Sequence, residues 1–145
     1  MGLLEVHPTE DIIVTNGDLI TDISYTKLLE FHSSNNAEAT MAVRPYEMQN
    51  PFGEVQTKGI DIVAFEEKPI YHSYVNAGVY VLSPGALRDI PGNVYYDMPS
   101  LFEGLNTQSR RAIVYPMHEP WLDIGGPKDL MQARNLKNET SVAEI

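Results

Sequence analysis

The sequence contains no cysteine, which excludes disulfide bonds and thiolate metal sites. Basic residues are also scarce, with 10 against 20 acidic ones, so the net charge is −10. Such a chain repels phosphodiester backbones and anionic lipids, and we expect neither a nucleic-acid partner nor a membrane partner. No apolar run approaches the ~20 residues of a membrane span, and the start lacks a secretion-signal pattern. We therefore expect a cytoplasmic location.

The composition is that of a folded domain. The chain has 145 residues, of which 43% are hydrophobic, and it includes eight Tyr, four Phe and one Trp. This length is sufficient for one hydrophobic core, and the apolar content argues against disorder.

The first third of the sequence predicts a βαβ unit in a parallel sheet. Residues 11–15 form a short β-branched run that predicts a strand buried on both faces. Ser24 is a predicted N-cap for a helix whose face carries Leu28, Leu29 and His32. The next strand, residues 39–43, is expected to stop before Pro45.

The rest of the chain predicts a β-hairpin followed by short elements. Two extended runs, residues 52–57 and 60–65, flank a Lys-Gly turn. Further along, the pattern predicts a strand over 78–82, short helices over 84–87 and 100–105, a strand over 112–115, and a helix from 127 through 136.

Two carboxylates stand at predicted turns. Gly17 allows a sharp turn just before Asp18, at the end of a strand where ligands bind in open α/β sheets, although an ordinary Asx turn fits equally. Asp123 lies inside an apolar stretch, where a carboxylate usually has a cation or donors beside it; a cap for the last helix is the alternative. Two carboxylates plus phosphate oxygens suit Mg²⁺. The four scattered His residues do not form a zinc pattern, and His32 is expected to be structural.

A charged segment follows the predicted hairpin. Lys68 can bind a phosphate as a point charge, and Glu67 can accept hydrogen bonds from sugar hydroxyls. The alternative is a solvated strand end that stops at Pro69.

Five segments taken in order resemble the sugar-1-phosphate nucleotidyltransferases, the NDP-sugar pyrophosphorylases. They are most similar to the mannose-1-phosphate guanylyltransferase and glucose-1-phosphate thymidylyltransferase types. The segments are residues 16–18 (Asn-Gly-Asp), 51–55 (Pro-Phe-Gly-Glu-Val), 65–69 (Phe-Glu-Glu-Lys-Pro), 76–82 (Asn-Ala-Gly-Val-Tyr-Val-Leu) and 121–125 (Trp-Leu-Asp-Ile-Gly).

The resemblance implies an α/β fold, the C-terminal portion of a Rossmann-like nucleotidyltransferase domain. Its sheet would be mixed and mostly parallel, with flanking helices and a β-hairpin. Residues 1–137 would form a partial domain, and residues 138–145 a frayed tail. The implied reaction joins a nucleoside triphosphate to a sugar 1-phosphate with release of pyrophosphate, and its product would serve cell-surface polysaccharide synthesis.

The resemblance also implies roles for individual residues. Asp18 and Asp123 would hold the catalytic Mg²⁺, and Lys68, counted with them as catalytic, would hold the phosphate of the sugar 1-phosphate. The remaining substrate-binding residues would be Gly17, Gly53, Glu67, Asn76 and Gly78.

Two departures from the family pattern bear on activity. Gly126 stands where the family commonly has Thr, and the family's Gly-rich triphosphate loop and base-reading segment have no counterpart here. We therefore expect the 145 residues alone to be inactive, and to be part of a longer chain or a homo-oligomer. One alternative is a non-catalytic sugar-phosphate-binding or regulatory domain. A glycosyltransferase that uses nucleotide sugars ranks lower, since the chain has no Asp-x-Asp metal motif.

Overall fold

The structure is a computed structural model that describes residues 8–92 and 94–125. These residues form eight strands and three helices. In chain order the elements are β1 (Ile12–Thr15), β2 (Leu19–Thr21), α1 (Tyr25–Ser34), β3 (Ala39–Gln49), β4 (Glu54–Lys58), β5 (Asp61–Glu66), β6 (Ile70–Leu82), α2 (Pro84–Leu87), α3 (Met98–Thr107), β7 (Ala112–Pro116) and β8 (Trp121–Asp123).

The main sheet has four strands in the order β1-β6-β3-β7. β6 is antiparallel to both β1 and β3, whereas β3 and β7 are parallel. Three strands therefore share one direction and β6 runs against them. The predicted mixed α/β sheet is confirmed.

The two strands of the predicted βαβ unit are present in one sheet, but they are not neighbours. β1 and β3 run in the same direction, but β6 lies between them, so they do not pair. β1 is an edge strand among the described residues and is only half-buried, although its apolar sequence predicts a central position. The central place goes to β6, whose residues Ala77, Val79, Val81 and Leu82 are fully buried. Hydrophobicity predicts that a strand is buried, but not which strand is its neighbour.

Two apolar clusters cover the two faces of the sheet. Ala77, Val79 and Val81 of β6 pack in a cluster with Leu28 of α1. Leu82 packs in the other cluster, which includes residues of α2 and α3. The alternation along β6 follows from the pleat, since successive side chains point to opposite faces.

Each of the three helices begins at a side-chain cap, and Ser24 is the cap that the sequence predicts. Ser24 caps α1 by accepting a hydrogen bond from the Lys27 amide at 3.4 Å. Ser83 and Asp97 cap α2 and α3 in the same way, through the amides of Ala86 and Ser100. These side chains satisfy amides that have no partner within their helices.

Strand β3 does not stop before Pro45, which corrects the prediction. Its pairing with β7 ends at Val43, and beyond this point β3 has only β6 as a neighbour. Proline is tolerated on such a strand because one side has no ladder to complete. The paired segments 44–49 of β3 and 70–75 of β6 thus form a two-stranded projection, called the arm below. The predicted hairpin is confirmed as β4–β5, and it joins the two strands of the arm.

A second small ribbon pairs β2 with β8, and its two strands come from distant parts of the sequence. The sequence patterns did not predict β2, which is only three residues long. The helix expected over 127–136 lies outside the described residues. Within the described ranges, no helix has the length and apolarity needed to cross a bilayer.

Candidate metal and sugar-phosphate site

The β2–β8 ribbon brings the two predicted metal ligands together. Asp123 pairs directly with Leu19, the residue after Asp18. The amide of Ile124 donates to the carbonyl of Asp18 at 2.8 Å, which extends the pairing by one step. The Cα atoms of the two aspartates are therefore roughly 6 Å apart, by standard ladder and chain spacings. Both aspartates are exposed to solvent.

Residues 76–78 of β6 form an irregular turn of the backbone beside this ribbon. The ladder between β3 and β6 shifts register here, and Gly78 has a φ of 72°. The Asn76 side-chain oxygen accepts from the Gly78 amide at 2.9 Å, and its NH₂ group donates to the Tyr80 hydroxyl at 2.8 Å. Asn76 is therefore held from both ends of its amide, next to an exposed surface.

Gly78 also contacts the segment that leads into Asp18. The Asn16 amide donates to the Gly78 carbonyl at 2.9 Å. A Cβ on Gly78 would lie 2.8 Å from Asn16 Nδ2 and 2.9 Å from Leu19 Cδ1. The close approach requires glycine, and it places the predicted substrate residues Asn76 and Gly78 next to the predicted metal edge.

Gly53 and Glu67 form a second group, at the base of the hairpin. A Cβ on Gly53 would lie 2.9 Å from Glu67 Oε2, so the Glu67 carboxylate passes directly over Gly53. Lys68 follows with a φ of 48°, in the left-handed region that non-glycine residues rarely adopt. Such backbone strain is often found at ligand-binding positions.

The arm separates the two groups. Its ladder runs from the Val43–Asn76 pair to the Gln49–Ile70 pair, and the Asn50 amide continues it to the Pro69 carbonyl. Six residue steps from Ile70 to Asn76 correspond to about 20 Å along the strand. The structure thus places Asn76, Gly78, Gly17, Asp18 and Asp123 at one end of the arm, and Gly53, Glu67 and Lys68 at the other.

The base of the hairpin is further organised by hydrogen bonds around Glu54. Hydrogen bonds from Tyr71 and from Asn50 lower the pKa of the Glu54 carboxyl, and the Asn50 bond measures 2.7 Å. The same contact with Glu54 raises the pKa of the Tyr71 hydroxyl. Glu54 is therefore ionised at neutral pH, and it fixes the start of β4 next to Gly53.

The aspartate pair fits a hard divalent cation. In the described part of the chain, no three His, Cys, Asp or Glu side chains gather into a metal cluster. Two exposed carboxylates leave most of an octahedral coordination sphere to water and phosphate oxygens, as Mg²⁺ prefers. The donor set therefore suits a metal that is shared with a phosphorylated substrate rather than a closed structural site.

His32 has a structural role, as expected. It is buried, and its Nδ1 forms a 2.8 Å hydrogen bond with the Thr40 hydroxyl. Its Nε2 lies 3.7 Å from the Asp11 carboxylate. These contacts join α1 to β3 and to the residue before β1.

Sequence reasoning missed the contribution of Trp121. Its indole N–H donates to the Ala77 carbonyl at 2.8 Å, between Asn76 and Gly78. A cavity of about 490 Å³ lies elsewhere, on an apolar surface that Phe31, Met41 and Phe102 line. The candidate site is thus an exposed edge rather than a deep pocket, and pocket size would not have located it.

Comparison with known proteins identifies the family of this chain. The model of the nucleotidyl transferase family matches residues 2–140. A Sulfolobus acidocaldarius protein described as a mannose-1-phosphate guanyltransferase is 34% identical over 128 residues, which cover 86% of this chain and 34% of that protein. A glucose-1-phosphate adenylyltransferase of Clostridium perfringens is 30% identical over 149 residues, covering 90% of this chain and 37% of that enzyme.

A solved structure shows the same fold. The Bacillus anthracis protein described as a glucose-1-phosphate thymidylyltransferase, crystallised with sucrose, superposes with a TM-score of 0.60 at 18% identity, over 90% of this chain and 55% of that one. The chain spans about a third of the length of the two relatives above. By its match over nearly all its residues, the chain belongs to the nucleotidyl transferase family.

Proposed function

We propose that this chain carries the part of a sugar-1-phosphate nucleotidyltransferase active site that binds the metal ion and the sugar phosphate. The reaction transfers a nucleotidyl group from a nucleoside triphosphate to a sugar 1-phosphate and releases pyrophosphate. The family membership and the relatives named above support the reaction class. The substrates and the Mg²⁺ requirement are part of the proposal.

One observation carries the proposal. The β2–β8 pairing sets Asp123 opposite Leu19, the residue after Asp18, and the same ribbon lies against the Gly78 turn. Three segments that are distant in the sequence therefore meet at one exposed edge. A non-catalytic domain that binds only a sugar phosphate has no need for a carboxylate pair at that edge, because carboxylates repel phosphate unless a cation lies between them.

The chemistry at this edge requires positioning and charge neutralisation. An oxygen of the sugar phosphate attacks the α-phosphorus, a new P–O bond forms, and the bond from the α-phosphorus to the bridging oxygen breaks as pyrophosphate leaves. Asp18 and Asp123 would hold a divalent cation, which reduces the repulsion between the reacting phosphates. The chain itself orients the two reactants, and the entropic cost of bringing them together is a large part of the activation barrier. No covalent intermediate with the chain is needed.

The hairpin end of the arm would hold the sugar 1-phosphate. Lys68 would contact its phosphate, Glu67 would accept bonds from sugar hydroxyls, and Gly53 leaves the backbone open to the sugar. One ligand reaches both ends of the arm only if the arm curves over the ribbon. Two-stranded ribbons twist more than larger sheets, and this arm has no third strand along residues 44–49 to flatten it.

The sugar is proposed to be a hexose, with mannose 1-phosphate tested first because of the 34% identity to the Sulfolobus protein. The named relatives differ in both sugar and nucleobase, so a panel of nucleoside triphosphates is required. The activity is proposed to be cytoplasmic, where these substrates occur, and its product to serve cell-surface polysaccharide synthesis.

The test is pyrophosphate release by the polypeptide that the complete gene encodes, with Mg²⁺, mannose 1-phosphate or glucose 1-phosphate, and each nucleoside triphosphate. Asp123→Asn removes a predicted metal ligand and should reduce turnover at least about 100-fold. The matched control is Asp22→Asn, an exposed acid just after β2 whose backbone amide bonds to Pro120. It should keep turnover within about twofold. Equal activities of the two variants would contradict the proposed metal role.

A second arm of the test uses the 145 residues alone. They should bind mannose 1-phosphate in the presence of Mg²⁺ without releasing pyrophosphate. Pyrophosphate release by these 145 residues would show that they also provide the triphosphate site, and would overturn the division of roles proposed here.

A further inference from the structure

Trp121 links the β2–β8 ribbon, which carries Asp123, to strand β6. It is the first residue of β8, and it pairs with Thr21 in β2. Its indole N–H donates to the carbonyl of Ala77, a residue that is fully buried. In the described part of the chain, this is the one hydrogen bond that joins β8 to β6.

The strand geometry relates Trp121 to Asp123. Residues i and i+2 of a strand point to the same face, so Trp121 and Asp123 share a face of the ribbon with their partners Thr21 and Leu19. That face lies against β6, because Leu19 reaches the Gly78 turn and the Trp121 ring packs on the core. Asp123 stands at the exposed end of this face.

Arg44, a residue of the arm, also contacts the Trp121 ring. The Arg44 guanidinium lies over the Trp121 ring, 5.9 Å from its centroid, and Nη1 donates to the Trp121 carbonyl at 3.5 Å. Arg44 belongs to β3 and pairs with Val75 of β6. A cavity of about 240 Å³ opens beside this contact, lined in part by Thr21, Asp22 and Leu122. The ring is therefore fixed on its N–H edge by β6 and on its face by β3.

The ribbon needs this support. β2 and β8 share only three paired residues, and a two-stranded ribbon of this length is not stable by itself in water. The Ala77 carbonyl has no partner in the β3 ladder at the register shift, so loss of the indole N–H would leave a buried acceptor unsatisfied. The Trp121 side chain is thus a direct link between β8 and the Gly78 turn, beside the contacts of Leu19 and Arg44.

We propose that Trp121 is a positioning residue that sets the place of the Asp123 carboxylate relative to the Asn76–Gly78 turn through its bond to Ala77. This inference rests on the proposed function, since it concerns the divalent cation held by the aspartate pair. Residues behind metal ligands typically change metal affinity 10–100-fold when they are mutated. Trp121→Phe keeps an aromatic ring and removes the N–H, and it should weaken divalent metal binding about 10-fold.

The experiment measures Mn²⁺ binding, by electron paramagnetic resonance of the free ion, in the presence of mannose 1-phosphate. The matched control is Ile23→Val, a core substitution in the cluster that Trp121 packs against. It should lower the melting temperature yet keep Mn²⁺ affinity within about twofold. An affinity loss confined to Trp121→Phe supports the positioning role. An equal loss in both variants would assign the effect to general destabilisation and overturn it.

A spectroscopic readout is independent of catalysis. Trp121 is the single Trp of the chain, so intrinsic Trp fluorescence reports this position alone. Mn²⁺ bound at Asp123, two residues or about 7 Å along the strand, should quench it, and Asp123→Asn should abolish the quenching. Bound Mn²⁺ without quenching would overturn the proximity on which the inference depends.

Different experimental outcomes would contradict the proposed function and the positioning role of Trp121. If wild type binds no Mn²⁺, or if Asp123→Asn binds it as wild type does, the proposed function is wrong at the metal. If Asp123→Asn loses Mn²⁺ but Trp121→Phe binds it with wild-type affinity, the metal site stands and the positioning role of Trp121 is wrong.

Discussion

Lys68 illustrates how much a single residue contributes to the account. Its left-handed backbone turns the chain at the end of β5, directly after Glu67. A Lys at a solvated strand end has no need for that conformation, which costs roughly 1–2 kcal/mol outside glycine. The sequence predicted the residue and its phosphate-binding role, but the strain is visible only in the structure.

Lys68→Ala should reduce kcat/KM for the sugar 1-phosphate at least about 10-fold and leave the free energy of unfolding nearly unchanged, because it removes the charge that we propose contacts the phosphate. Lys58→Ala is the matched control. Lys58 is an exposed lysine at the other end of the same hairpin. Both variants are assayed by pyrophosphate release and by urea denaturation. If the two substitutions give the same kcat/KM, Lys68 does not bind the phosphate.

His32 predicts a pH dependence of stability. Burial lowers the pKa of His32 from its ordinary 6.5, and the Asp11 carboxylate opposes this only in part. The unfolded chain then binds a proton that the folded chain does not, so stability falls as the pH drops below about 6.5. Thermal unfolding at pH 7.5, 6.5 and 5.5 should show this decline, and His32→Gln should flatten it. The same slope in both proteins would exclude His32 as the cause.

The carboxyl group of Glu38 titrates at lower pH and does not interfere with the His32 effect. Arg110 holds the pKa of the Glu38 carboxyl below its usual 4.5 through their hydrogen bonds, two of which measure 2.9 Å. The stability that this ion pair contributes is present above about pH 4.5 and is lost as the pH falls through the lowered pKa. The His32 effect is therefore measurable above pH 5 without it.

Among the elements, β6 organises the site. It supplies the buried centre of the sheet, the Asn76–Gly78 turn and one strand of the arm. The Asn76–Gly78 turn interrupts the regular ladder between β3 and β6. Asn76 is exposed at this point, whereas residues 79–82 are buried in the core.

Gly78→Ala tests this element. A positive φ costs about 1–2 kcal/mol for Ala, and the new Cβ would also press on Asn16 and Leu19. We expect a loss of at least about 2 kcal/mol in the free energy of unfolding, measured by urea denaturation. Gly92→Ala is the control, because a Cβ on Gly92 would have no atom within 4 Å. This substitution should change the free energy of unfolding by less than about 0.5 kcal/mol. Equal losses would contradict the close packing at the turn.

The helices and strands also show which parts of the fold could be predicted from the sequence. A cap at Ser24 and a proline at the start of α2 predicted two helix starts, because both are local signals. Helix α3 begins at Met98, two residues before the predicted start at residue 100. The length of β3 was not predictable, since Pro45 is accommodated by the absence of a partner on one side, which is a property of the sheet. The β2–β8 pairing joins segments about 100 residues apart, and no local pattern predicts it.

For the candidate site, the sequence supplied residue types and the structure supplied their proximity. Asp18, Asp123 and Asn76 were predicted from motifs, and their meeting at one edge follows from β2–β8 and the Gly78 turn. Trp121 was recognised only as part of a family segment and of the apolar stretch around Asp123, because a bond from its side chain to a distant carbonyl leaves no pattern in the sequence.

At the scale of the whole molecule, apolar residues are unevenly exposed. The core lies on both faces of the main sheet, while the hairpin exposes Phe52 at 74%, Ile60 at 99% and Phe65 at 72%. Contiguous exposed apolar groups on free strand edges favour association. We expect the 145-residue chain to self-associate as its concentration rises, as measured by sedimentation velocity.

A double substitution of Ile60 and Val63 to Lys should reduce that association, because it charges the exposed hairpin without touching the main sheet. The circular dichroism spectrum should stay unchanged as a control for folding. A chain that is monomeric at all concentrations, or a charged variant that associates as wild type does, would contradict this expectation.

The central claim is that one exposed edge, built by the β2–β8 ribbon and the Gly78 turn, binds a divalent cation together with a sugar phosphate. The most direct measurement is paramagnetic broadening of backbone amide signals by Mn²⁺ in the presence of mannose 1-phosphate. The account predicts selective broadening at Gly17, Asp18, Gly78 and Ile124, retained in Asp22→Asn and lost in Asp123→Asn. Broadening that is centred elsewhere, such as at the exposed Glu47–His72 pair of the arm, or that persists in Asp123→Asn, would contradict it.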